Sequence, residues 1–180
     1  MPKALLVRFL KEPDLSITIK HDIMDLMSVE NNMKNTVQLH RIFSAPPERV
    51  FRAFTDPDAL VKWMPPHGFS AHVEYADVCT GGSYRMHFTN FSTGTKHAFH
   101  GRYHQVIQNQ LLRYSDKFDA PELAGEIEVT IEFKEVSVGT EVKITQTGLP
   151  DVIPPDACYL GWQESLQLLS FLVNPAIPDD

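Results

Sequence analysis

The chain has 180 residues, 43% of them hydrophobic and 22% charged, a composition that suits one globular domain with an appendage. Sixteen Lys and Arg face 23 Asp and Glu, a net charge of −7, which offers little attraction to a phosphate backbone and argues against a nucleic-acid partner. No apolar run reaches the ~20 residues that cross a bilayer; the two cysteines, Cys79 and Cys158, form no C-x-x-C pair, and a soluble, cytoplasmic protein is expected.

Charge divides the chain. Residues 1–35 hold five basic and five acidic groups, so the whole of the −7 belongs to residues 36–180. The polar stretch Glu30-Asn31-Asn32-Met33-Lys34-Asn35 reads as a linker between an N-terminal extension and a domain that begins at Thr36.

In chain order, Val37 to Phe43 reads as a strand whose inward positions are Val37, Leu39 and, after a slip, Ile42 and Phe43. Ala45-Pro46-Pro47-Glu48 opens a helix with Val50, Phe51 and Phe54 on its apolar face. Asp56 then caps a short second helix with Pro57 in its first turn, Leu60 and Trp63 buried, and Pro65-Pro66 as its stop.

Five or six strands follow. In Ser83 to Asn90, Tyr84, Met86 and Phe88 share one face; in Lys96 to Ile107, His97, Phe99, Gly101 and Tyr103 share one. A hairpin around Ser92-Thr93-Gly94 pairs Asn90 with Thr95 and Arg85 with His100, and puts the apolar residues of both strands on the same side. Gly81-Gly82 marks a bulge or sharp turn. Leu112-Tyr114, Ile127 to Phe133 and Val142-Ile144 continue the one-sided pattern, with a turn at Gly139-Thr140.

A last helix starts near Pro154-Pro155-Asp156 and runs to about Val173. Trp162, Leu166, Leu169 and Val173 form one stripe, while Leu160, Leu168 and Phe171 gather on the opposite side. That second apolar side needs cover, from the N-terminal extension or from a second copy in a homodimer. The whole is an α+β fold: one curved antiparallel sheet wrapped around a long C-terminal helix, with two short helices after the first strand.

Six landmarks occur in order: Ala45-Pro46 with Val50-Phe51; Asp56-Pro57-x-x-Leu60-x-x-Trp63; Asp77-x-x-x-Gly81-Gly82; Phe99-x-Gly101-x-Tyr103; Gly139-Thr140; and Gly161-Trp162-x-x-x-Leu166-x-x-Leu169. Together, over residues 37–172, they resemble the activator-of-heat-shock-protein-ATPase homologue family of the START-like (SRPBCC) superfamily, whose members share the helix-grip fold of the birch-pollen allergen. The resemblance implies a sheet that grips the terminal helix, with a cavity between them for small hydrophobic molecules. It implies no particular reaction, because the superfamily contains carriers, cyclases and other enzymes. The family's eukaryotic namesake, a co-chaperone, also needs a separate N-terminal domain, for which 35 residues are too few.

On that reading the cavity is lined by Tyr84, Met86, Phe88, Phe99, Tyr103 and Tyr114 from the sheet, with Trp63 from the second short helix and Trp162 and Leu166 from the last one. His97 and Gln146 fall on the inner face by parity and would orient a polar end of the ligand. The alternative is an enzyme of cyclase, dehydratase or hydrolase type in the same cavity, with Tyr103, Tyr84 or His97 moving a proton; a buried polar pair within hydrogen-bond reach would favour it. A third reading is a stimulator of a chaperone ATPase. No metal is expected, because His100 and His104 are about 13 Å apart along one strand and His97 points the other way. No cofactor is expected either: Gly81-Gly82-Ser83 lacks the lysine of a phosphate loop, and there is no dinucleotide fingerprint or G-x-S-x-G.

Overall fold

A computed structural model describes residues 35–178. Seven strands form one antiparallel sheet: β1 (Val37–Phe43), β2 (Phe69–Ala76), β3 (Ser83–Asn90), β4 (Lys96–Ile107), β5 (Leu111–Phe118), β6 (Ile127–Val136) and β7 (Gly139–Thr147). Between β1 and β2 lie α1 (Pro47–Thr55) and α2 (Pro57–Trp63); α3 (Pro155–Val173) closes the fold. The sheet order β1-β7-β6-β5-β4-β3-β2 is a meander from β2 to β7, with β1 returning to the far edge beside β7. This is the helix-grip architecture expected from the sequence.

The register follows from side-chain parity. Arg85 stands opposite His100, and the Asn90 amide donates to the Thr95 carbonyl at 2.9 Å, so the β3–β4 hairpin pairs as its apolar pattern requires. Asn90 also shapes the turn, its side-chain oxygen accepting from the Ser92 and Thr93 amides. Gly81-Gly82 makes a sharp turn with Gly81 at φ +88°, whereas the β-bulges fall between Val73 and Tyr75 and between Tyr103 and Gln105.

One expectation fails at β1. Its pairing with β7 runs without a break from Val37–Gln146 to Phe43–Thr140, so there is no slip, and Ile42 lies on the outer face, 50% exposed. The inward parity position is Arg41, which lays its guanidinium 5.9 Å from the Phe43 ring centroid instead of burying its charge.

Two short helices plug one end of the sheet. Val50, Phe51, Ala53 and Phe54 are the buried face of α1, and Phe54 meets Trp63 edge-on with ring centroids 4.6 Å apart. Trp63 is fully buried, so its indole N–H needs a partner, and it donates to the Ala53 carbonyl at 2.8 Å. Asp56 caps α2 by accepting from the Asp58 amide at 2.9 Å.

Helix α3 is held most firmly at its C-terminal half. Leu166, Leu169 and Val173 are almost wholly excluded from solvent. The last turn has no basic residue of its own. Arg49 of α1 supplies the positive charge from outside, donating to the carbonyls of Val173 and Pro175 at 3.3 and 3.2 Å. Asn174 adds a tie by accepting from the Ser44 amide.

The same helix offers a controlled comparison. Leu169→Ala opens a void among fully buried neighbours and is expected to cost about 2–5 kcal/mol of unfolding free energy. Leu160→Ala, on a side chain 62% exposed, is expected to stay within about 0.5 kcal/mol of the parent. Urea unfolding of the two variants beside the parent checks both values.

Candidate functional site

Among the described residues, a small void and a larger cleft lie between sheet and helices. The smaller, about 20 Å³, has room for about one water molecule and is walled by Phe54, Leu60, Met64 and the inner faces of β2 to β5. The larger is a cleft of about 330 Å³, bounded by Met64 and Pro66 after α2, by β3 to β7, by the segment holding Leu149 and Ile153, and by α3. Its helical wall is Ala157, Cys158, Gly161, Trp162 and Ser165, a spacing of one, four, five and eight that places all five on one face. Two cross-links hold the α2–β2 connection against that wall: Ser165 Oγ donates to the Met64 carbonyl at 2.8 Å, and the His67 amide donates to Glu164 Oε2 at 3.0 Å.

The inner-face residues divide between these spaces. Phe88, Phe99, Gln146 and Trp162 line the cleft. Tyr84, Met86, Tyr103 and Tyr114 line the small void, packed as core. Trp63 and Leu166 are fully buried and line neither. His97 shares the parity of Phe99, but near the end of β4 it is exposed, with its ring 6.1 Å from that of Phe69.

The polar groups of the cleft form two sets. On the helix side, Gln146 Oε1 accepts from the Trp162 indole at 2.6 Å and from the Cys158 thiol at 3.1 Å. Since an indole N–H can only donate, the amide oxygen must face it, and the amide nitrogen is turned elsewhere. On the sheet side stands Asp116, which the sequence reading passed over. It alternates with Tyr114 and Phe118 on the inner face of β5, and its carboxyl oxygen Oδ1 accepts from the Tyr84 hydroxyl. Its parity with the buried Leu112 and Tyr114 was the available signal.

Asp116 and Tyr84 belong to strands separated by β4. Tyr84 pairs with Gly101, and Gly101 pairs with Asp116. A Cβ on Gly101 would overlap the Ser115 carbonyl oxygen and lie 2.5 Å from the Tyr84 hydroxyl oxygen. The missing side chain is therefore the passage through which the two polar groups meet.

Burial sets the protonation of these groups. Loss of solvent pushes the Asp116 carboxyl up to about 7 from an ordinary 3.8, so near neutrality it is poised between acid and anion. Burial also raises the Tyr103 and Tyr114 hydroxyls, which makes them weak acids, and pushes the Cys158 thiol up to about 11. Cys79 is exposed, and its hydrogen bond to Asp77 keeps its thiol protonated too. Neither cysteine is set up as a thiolate nucleophile.

The outer face of the sheet carries His40, His72, His87, His100 and His104 and most of the ion pairs among the described residues. His100 pairs with Asp119 at 3.0 Å and His104 with Glu128 at 3.4 Å, so these two histidines go to separate acids. Arg85 bridges Glu74 and Asp119, and its hydrogen bond, with that of His100, holds the Asp119 carboxyl below the usual range. Ligand atoms of His104, Glu126 and Glu128 do lie within 4.8 Å of one another. Lys117, 3.2 Å from Glu126, competes for that carboxylate, whereas Arg113 stays 4.0 Å from Glu128 Oε2, which makes no hydrogen bond among the described residues.

Comparison with known proteins now bears on this geometry. Residues 44–174 match the profile described as activator of Hsp90 ATPase homolog 1-like protein. The chain belongs to that family. A crystal structure of a Chromobacterium violaceum protein is 51% identical, covers 79% of this chain and 99% of its own, and superposes with a TM-score of 0.78. A Rhodobacter sphaeroides protein at 24% identity (77% of this chain, 91% of that one) reaches 0.67 and shares the fold. The AHSA1-like protein of Aeromonas hydrophila, at 21% identity (76% and 90%), reaches 0.60. No curated protein matches the chain. No helix among the described residues is long and apolar enough to cross a membrane.

The poised carboxyl predicts a measurable pH dependence. The folded state holds the Asp116 proton more tightly than the unfolded chain, whose carboxyl titrates near 3.8. The group's contribution is thus fully present below about pH 4 and is lost as pH rises through 7. Asp116→Asn, which cannot ionise, is expected to match the parent near pH 4 and to exceed its stability by up to about 4 kcal/mol above pH 7. Urea unfolding of both proteins across that range checks the sign.

Proposed function

We propose that this protein binds a small hydrophobic or aromatic molecule in the cleft between the sheet and α3. The observation that carries this reading is the cleft itself: about 330 Å³, walled by Phe88, Phe99, Phe118 and Trp162, with its few polar groups converging from two sides. That volume and lining are those of small-molecule sites in general. Membership of a START-like family supports the same reading.

Gly161 offers a clean test, since a Cβ added there meets nothing within 4 Å. Gly161→Leu is expected to fill the cleft from its helical wall and, because Leu suits a helix interior better than Gly, to leave the fold at least as stable, by about 1 kcal/mol. Native mass spectrometry of parent and variant, each purified from the source organism, should show a retained ligand on the parent alone. Equal ligand on both, or none on a parent that also fails to take up an apolar fluorescent dye, would sink the reading.

A second reading has one specific observation in its favour. The Tyr84–Asp116 hydrogen bond joins a buried hydroxyl to a half-buried carboxyl at the cleft, and a carboxyl poised near 7 is suited to move a proton at neutral pH. Tyr103 and His97 are less suited, the first because burial raises its hydroxyl far above neutrality and the second because it is exposed. An enzyme of cyclase or dehydratase type in this cleft would therefore use Asp116 with Tyr84.

The opposite side of α3 supports a protein–protein role. Leu160 is 62% and Phe171 67% exposed, while Leu168 is half-buried against the core. We propose that a second copy of the chain or the N-terminal extension covers this face; the extension lies outside the described residues. Deleting residues 1–32 is expected to change the oligomeric state or solubility, read by analytical ultracentrifugation, and an unchanged sedimentation profile would remove the extension from the proposal.

A further inference from the structure

The cleft has a charge bias that narrows its ligand. Among the described residues that line it there is no Lys, Arg or His, and Asp116 is the one acid. A carboxylate or phosphate ligand would find no cation there, and burying an unpaired anion in an apolar site is costly. The opposite charge finds three features that suit it.

Asp116 is the first. Its Oδ1 is taken by the Tyr84 hydroxyl, while Oδ2 makes no hydrogen bond among the described residues and belongs to a side chain on the cleft wall. Second, aromatic rings surround the approach: Phe99 packs on Phe88 at 5.1 Å and on Phe118 at 5.9 Å, with Trp162 on the facing helix. Ring faces attract cations. Third, no positive charge competes for Asp116 among the residues that line the cleft: its hydrogen-bond partner is Tyr84 on β3, the other titratable side chain lining the cleft is Cys158 on α3, and Ile127, its β6 partner, is apolar.

We infer that the cleft selects a hydrophobic amine, bound as its ammonium ion with an N–H donated to Asp116 Oδ2 and its apolar body against the Phe88, Phe99, Phe118 and Trp162 rings. The inference rests on the ligand-binding reading above and specifies its chemistry. Bringing an ammonium to Asp116 while the carboxyl is protonated releases that proton to solvent, so binding strengthens as pH rises toward the carboxyl's own titration near 7 and levels off above it.

The test uses three probes with one hydrocarbon body: phenylbutylamine, phenylbutanol and phenylbutyrate. Isothermal titration of the full-length protein at about pH 8 should give the amine roughly 10- to 100-fold tighter binding than the alcohol, with the carboxylate weakest. Below the titration point the amine should lose close to tenfold in affinity per pH unit, while the alcohol changes little. Asp116→Asn should bring amine and alcohol to similar affinity; if that variant does not fold, the parent's pH profile decides alone. An alcohol that binds as tightly as the amine, or a carboxylate that binds best, overturns the amine assignment and leaves the cleft a ligand site. If none of the three binds, the assignment also falls, and the retained-ligand measurement with Gly161→Leu then judges the broader reading separately.

Discussion

Tyr84 and Asp116 stand on strands that are not neighbours, and they meet only because Gly101, between them on β4, has no side chain. This close approach gives the carboxyl on the inner face of the sheet its hydrogen-bond partner. With any larger residue at Gly101, the Tyr84 hydroxyl would be pushed off Asp116, which would stand in the cleft with neither oxygen hydrogen-bonded, a costly state for a half-buried carboxyl. The polarity of the cleft is therefore decided by an atom group that is absent, on the middle strand of three.

Much of the fold could be read from alternation alone. Tyr84, Met86 and Phe88 against Phe99, Gly101 and Tyr103 allow one hairpin register that buries every apolar residue, and the structure has that register. The bounds of α3 follow from Pro155 and the Leu166-Leu169-Val173 stripe in the same way. Charge misled the reading at two inward positions. At β1 the apolar pattern reads as a slip to Ile42 and Phe43, yet Arg41 takes the inward position, since a long side chain can carry its charge out over the Phe43 ring. At β5, Asp116 has the parity of Tyr114 but the look of a surface residue, and only the Tyr84 hydroxyl explains its tolerance inside.

Parity tells which face a side chain takes; it is silent on how much room that face has. The inner aromatics illustrate the difference. Tyr84, Tyr103 and Tyr114 lie under α1 and α2, where Phe54, Leu60 and Met64 fill nearly all the space. Phe88 and Phe99, one or two residue pairs further along the same strands, lie beyond the reach of those helices and face an open cleft. What separates core from cleft is the length of α2 and the stop at Pro65-Pro66, information held some twenty to forty residues away in the chain. The candidate site was thus legible as a face, and its floor and edges were set by tertiary packing.

The capping of α3 by Arg49 has a mechanical consequence. A helix clamped at one end behaves as a cantilever. The Arg49 and Asn174 ties, with Leu166, Leu169 and Val173 bedded in the core, fix the C-terminal end, whereas the segment from Pro155 to Trp162 walls the cleft and meets the sheet through Gln146. A tilt about the clamp would act with most leverage toward Pro155, and it would widen the cleft only by breaking the bonds of Cys158 and Trp162 to Gln146.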